Sequence, residues 1–111
     1  AHQPEWFTTA PAKSIELLLQ KAGLKVDDID LWEINEAFAA VAIVNQRLLK
    51  ISPEKLNIRG GAVAIGHPIG ASGARILTTL CHALEQEKKR YGVASLCIGG
   101  GEAVSMLIER I

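Results

Sequence analysis

Two shortages narrow the field before any motif is read. Only Cys81 and Cys97 carry thiols, too few for a disulfide framework, and neither stands in a C-x-x-C pair or a zinc-ligand spacing. The adjacent Cys81 and His82 do not make a metal pair, because consecutive helical side chains point about 100° apart. A reducing compartment, the cytoplasm, is the expectation. Charge of one sign is also missing: 12 basic residues balance 12 acidic ones, and Lys88, Lys89 and Arg90 form the single basic cluster. That leaves no electrostatic footprint for nucleic acid or an anionic membrane surface. Every long apolar stretch is interrupted by Asn, Gln, Lys or Glu short of the roughly 20 residues of a membrane span, and the amino end has no signal-peptide pattern. Repeats, low-complexity tracts and Ser- or Pro-rich linkers are absent, so residues 1–111 read as one domain.

What is present is an alternation of helical and extended segments. Ile15, Leu18, Leu19 and Ala22 recur at helical spacing between Thr8-Thr9-Ala10-Pro11 and Gly23, giving a helix with a start and a glycine stop. Asp30 to Ile34 (DLWEI) reads as a short buried strand, followed from Glu36 by a helical stripe of Phe38, Val41, Ala42, Leu48 and Leu49, with Phe38 expected in the core. A short strand is expected at Ala62 to Ile65. A helix then starts near Ser72 with Leu77, Leu80, Cys81 and Leu84 on one apolar face, which makes Cys81 a structural residue. Two final strands, Tyr91 to Ile98 and Val104 to Ile111, flank Gly99-Gly100-Gly101 and suggest an antiparallel hairpin. The order implies an α/β fold with a mixed sheet, helices packed on it and an antiparallel last strand.

Three polar residues fall at the carboxyl ends of the expected strands, where α/β sheets collect their reactive groups. Asn35 follows DLWEI directly, although asparagine is also a common helix N-cap. His67 lies between Gly66 and Pro68 on a glycine-rich loop, and spacing alone leaves it open as a mere turn residue. The loop is not a dinucleotide fingerprint, since Ala62 stands where a second glycine is required. Cys97 ends an apolar strand ahead of three glycines whose N–H groups could stabilise an oxyanion. It is either a buried structural cysteine or, if His67 or N–H dipoles lower its pKa, a base.

Taken together, NEAFA (Asn35 to Ala39), GGAVAIGHPIGASGAR (Gly60 to Arg75) and CIGGG (Cys97 to Gly101) resemble the thiolase family, and the resemblance spans essentially the whole chain. It implies acyl-CoA acetyltransferase chemistry: reversible Claisen condensation of acetyl-CoA to acetoacetyl-CoA, or thiolytic cleavage of a 3-ketoacyl-CoA. Coenzyme A thioesters are then substrates, and neither a cofactor nor a metal is called for. By position, His67 matches the histidine that activates the acyl-carrying cysteine. Cys97 matches the cysteine that moves the α-carbon proton. Asn35 matches the asparagine that holds a water in one oxyanion hole, and Gly99 matches the glycine whose N–H serves the other. Glu102-Ala103 departs from the family, where a glycine often stands second. The ketoacyl synthase and HMG-CoA synthase branches fit less well, because CIGGG supplies a thiol.

The resemblance further implies that residues 1–111 are an incomplete thiolase C-terminal domain, lacking the first strand of that half. The resemblance implies that this strand is central in the sheet. The nucleophilic cysteine would come from the family's amino-terminal half, so the chain is expected to pair with that part and to form homo-oligomers. The competing expectation is a non-catalytic module that keeps the fold for association.

Overall fold

A computed structural model describes residues 1–111. Four helices, α1 (Ala10–Ala22), α2 (Ala39–Leu49), α3 (Ala62–Ile65) and α4 (Ser72–Gln86), surround three strands, β1 (Leu31–Ile34), β2 (Tyr91–Cys97) and β3 (Ala103–Glu109). The strands lie in the order β1-β2-β3, the first pair parallel and the second antiparallel. This is the mixed α/β sheet with an antiparallel last strand expected from the sequence.

Local chemistry accounts for most element boundaries. Helix α1 has proline in its first turn, where the missing N–H costs nothing, and stops at Gly23 with φ 68°, a left-handed conformation that glycine adopts freely. Helix α2 ends the same way at Lys50, φ 55°, without a glycine. Strand β1 is buried on both faces. Trp32 and Ile34 join Ile15, Leu19, Val41, Leu49 and Val93 in a core under α1 and α2, while Leu31 joins Ile76, Leu80, Leu84 and Ala94 under α4. The result is a three-layer arrangement. Gly92 lets α4 sit close on β2, because a Cβ there would lie 2.8 Å from the Leu80 side chain.

Three expectations are corrected. Residues 62–65 form a helical turn, with Val63 and Ile65 exposed, where a strand was expected. A four-residue apolar run does not distinguish strand from helix, and here the Glu36 carboxylate, distant in sequence, accepts the Val63 N–H at 2.9 Å and fixes the first turn. Phe38 is 61% exposed because α2 begins only at Ala39; Phe38 is its extended N-cap and packs edge-on against Phe7, centroids 6.1 Å apart. Cys81 is exposed, the buried face of α4 being carried by Ile76, Leu80, Ala83 and Leu84.

The location of the open position in the sheet also differs from expectation. Strands β1 and β2 pair directly, Leu31 with Gly92 through Ile34 with Ser95, and the ladder continues at both ends through Asp30 N–H to Tyr91 O (3.0 Å) and Asn35 N–H to Ser95 O (2.9 Å). No gap lies between them. On the outer side of β1, Asn57 substitutes for a strand: its N–H donates to Trp32 O, its Oδ1 accepts from Ile34 N–H, and its Nδ2 donates to Ile34 O. The unpaired edge is the outer side of β3, where Val104 and Met106 are about half exposed.

Candidate active site

The carboxyl ends of β1 and β2 are neighbours in one parallel pair, so whatever follows Ile34 and whatever closes β2 emerge side by side. Asn35 leaves β1 with its backbone still bonded to Ser95 O, and its side chain is not an N-cap, since Phe38 holds that position. Cys97 is the last residue of β2 and is buried; Gly99 follows in the turn closed by Ile98 N–H to Glu102 O (2.8 Å) and Gly101 N–H to Ile98 O (3.1 Å). His67 arrives on the loop after α3 rather than at the end of a strand, turned there by Gly66, φ 91°.

That loop is held from below by residues absent from the sequence-based list. Glu36 accepts from Val63 N–H and from Asn57 Nδ2 (3.4 Å), and Gly61 is the residue that makes room for it, since a Cβ there would lie 2.6 Å from the carboxylate. The sequence signal was the pairing of Glu36 in NEAFA with the double glycine at 60–61. Neither explains itself within its own segment.

His67, Cys97 and Gly99 line one cavity of about 430 Å³, with Phe7, Phe38, Ile69 and Leu96 among its apolar walls. Asn35 is buried and stands outside its walls, its Nδ2 lying 3.4 Å from His67 Nδ1. All four residues singled out from sequence are therefore brought to one end of the sheet. The apolar walls suit a short acyl chain, and the polar groups suit a carbonyl and a proton in transit.

The hydrogen bonds assign the imidazole tautomer. The Ser72 hydroxyl donates to Pro68 O at 3.0 Å, so its oxygen is left to accept, and it lies 2.5 Å from His67 Nδ1. Nδ1 therefore carries the proton and Nε2 keeps its lone pair. Asn35 is oriented from the other side: Arg75 Nη2 donates to its Oδ1 at 3.5 Å, which turns the amide N–H groups toward the histidine. Since Nδ1 is already protonated, those amide hydrogens are not taken up by the imidazole.

The thiol is the exception to expectation. Burial pushes the Cys97 pKa above its ordinary value, only partly countered by a backbone hydrogen bond. At neutral pH the resting group is a thiol. It starts as a proton donor, and becomes a base only after something has taken its proton. The Gly99 N–H has no acceptor within the chain, and a side chain added at Gly99 would enter open space. The glycine thus leaves its amide approachable from the cavity.

Residues 1–110 match the family model described as the thiolase C-terminal domain. Acetyl-CoA acetyltransferase 2 of Arabidopsis thaliana is 53% identical over 109 residues, covering 98% of this chain and 27% of that protein. The mitochondrial acetyl-CoA acetyltransferase of Bos taurus is 51% identical over 111 residues, covering all of this chain and 26% of its own length. Among solved structures, Acat5 thiolase from Ascaris suum, crystallised with coenzyme A, superposes with a TM-score of 0.93 at 49% identity over 99% of this chain and 28% of that one. The chain spans about a quarter of the length of the relatives it matches. On the family match, the identities and the shared fold, this chain belongs to the thiolase family, as its C-terminal domain.

Proposed function

We propose that these residues form the proton-transfer and oxyanion-binding part of an acetyl-CoA acetyltransferase, acting on coenzyme A thioesters without a further cofactor. The observation that carries this reading is the convergence of His67, Cys97 and Gly99 on one cavity with the Asn35 amide beside the imidazole. In condensation, His67 Nε2 takes the proton of a nucleophilic cysteine supplied from outside residues 1–111, and an acetyl group moves from coenzyme A sulfur to that cysteine. The departing coenzyme A thiolate takes the Cys97 proton and leaves as the thiol; the Cys97 thiolate then removes a proton from the α-carbon of a second acetyl-CoA, the enolate attacks the acetyl thioester, and the released cysteine thiolate recovers its proton from His67. Donors at Asn35 and Gly99 serve the two carbonyl oxygens as charge develops there. Cleavage of a 3-ketoacyl-CoA is the reverse, with the Cys97 thiol returning the proton to carbon. A chemistry that needs two free thiols suits a reducing compartment such as the cytoplasm, and the open edge of β3 suits an assembly of several copies or of this part with the rest of a thiolase.

The test is acetoacetyl-CoA thiolysis, assayed for the whole natural polypeptide that contains these residues and for residues 1–111 alone. Turnover by the former and none above background by the latter is expected. No turnover by the former would leave the fold without this activity, and turnover by the pure 111-residue chain would show that no outside nucleophile is needed.

A further inference from the structure

Glu33 is the one acidic side chain that the fold buries almost completely, at 2% exposure. It sits on β1, two residues before Asn35, and so projects from the same face of the strand, toward α4. Its neighbours on that face, Leu31, Ile76 and Ala94, are apolar. A carboxyl group there is costly, and an apolar residue of similar size would suit the core better. From the first turn of α4, Arg75 reaches between the two: Nη1 lies 3.6 Å from Glu33 Oε2, and Nη2 lies 3.5 Å from Asn35 Oδ1. The other charged groups facing this cluster are Glu36, next along the chain, and His67 from the loop.

We propose that Arg75, held by Glu33, is a positioning residue for Asn35: it occupies the amide oxygen and thereby keeps the amide N–H groups turned to the His67 side. An asparagine amide is nearly symmetric in shape, so packing alone does not choose between its two orientations, whereas a guanidinium donor at Oδ1 does. Glu33 supplies the counter-charge that holds the guanidinium at this depth, as outer-shell carboxylates orient the ligands of metal sites. The pair is thus explained by what it does for Asn35. This inference rests on the proposed role of Asn35.

The test uses the whole natural polypeptide, with Arg75→Met, Arg75→Lys and Glu33→Gln compared for steady-state thiolysis and for the ¹⁵N side-chain amide signals of selectively labelled asparagine. The Asn35 signal is identified by its loss in Asn35→Ser. Arg75→Met is expected to lower kcat roughly 10- to 100-fold, as loss of an orienting partner does, with KM nearly unchanged. The Asn35 amide signal should shift, and Arg75→Lys should recover part of both. Glu33→Gln should lower kcat and shift the Asn35 amide signal in the same direction as Arg75→Met, a pairing of effects that a merely structural ion pair would not give. An unmoved Asn35 signal in Arg75→Met, or an unchanged kcat and Asn35 signal in Glu33→Gln, would overturn the proposal. If the unsubstituted polypeptide shows no thiolysis, the proposed activity fails, and the Asn35 signal still decides the positioning role. Should Arg75→Met fail to fold, the two conservative variants carry the same readouts.

Discussion

The two faces of the sheet are built on different terms. Under α1 and α2 the core is almost wholly apolar, from Ile15 and Leu19 through Trp32, Ile34 and Val41 to Val93. Where polar groups meet that side, they close on themselves: Asn45 bonds Ala12 N–H, Thr8 O and Val41 O, and Ser95, Ser105 and Ser14 form a chain of hydroxyls. Under α4 the apolar cluster is smaller, and the strand end carries a buried carboxylate, a guanidinium and an amide with donors left over. The first face holds the chain together and also brings Cys97 to the cavity. The second sets a carboxylate, a guanidinium and an amide beside it.

The largest effect separates packing from chemistry within the first face, where Trp32 and Cys97 share one cluster. Trp32→Ala removes a side chain that is 1% exposed and should cost about 3–5 kcal/mol in unfolding free energy. Cys97→Ala should leave the fold nearly intact while lowering condensation by roughly 10²- to 10⁴-fold. Denaturant titration and steady-state assays of the whole polypeptide check both. A Cys97→Ala variant as unstable as Trp32→Ala would make packing, and not thiol chemistry, the reason Cys97 stands in that cluster.

Next in size is a pH effect confined to the second face. The Glu33 carboxyl is raised to about 7 from an ordinary 4.5 by burial, with Arg75 pulling it down and Glu36 pushing it further up. Between about pH 4.5 and 7 the folded chain holds a proton that the unfolded chain has released, so stability falls as pH rises through that window. At roughly 1.4 kcal/mol per pH unit the loss from this group approaches about 3 kcal/mol. Glu33→Gln should flatten the profile, measured as denaturation midpoints from pH 4.5 to 8. A profile that keeps its slope in the variant assigns the dependence elsewhere.

Smaller effects sharpen the comparison. Ser72→Ala removes the acceptor for His67 Nδ1–H and should slow acylation by about tenfold, since imidazole then loses its fixed tautomer. Lys50→Gly, at the end of α2 and remote from the cavity, should raise stability by up to about 1 kcal/mol, because a left-handed backbone is strained for lysine and free for glycine. Equal rates for Ser72→Ala and wild type in single-turnover acylation would remove serine from the site.

How much of this was legible in the sequence depended on whether the cause was local. Helix α1, with its proline start and glycine stop, and the β2-β3 hairpin were readable because their signals lie within the segments that form them. The motifs also marked Asn35, His67, Cys97 and Gly99, which the fold brings to one end of the sheet. Residues 62–65 were misread as a strand because the side chain that caps them, Glu36, belongs to another motif. Phe38 and Cys81 were placed inward by periodicity, which fixes a stripe to within a residue or so and not the point where a helix begins. Arg75 lies in the glycine-rich motif and Glu33 in DLWEI, and neither is marked by its own segment. Their meaning lies in the packing of α4 on β1, which no spacing along the chain encodes.

The account assigns Cys97 to proton transfer at carbon and His67 to activation of an outside nucleophile, and rapid-quench trapping of labelled acetyl-enzyme separates the two most directly. In the whole natural polypeptide, Cys97→Ala should form acetyl-enzyme at close to the normal rate and accumulate it, while His67→Ala should form it slowly. Cys97→Ala that traps no acetyl-enzyme, beside His67→Ala that forms it at the normal rate, would contradict both assignments.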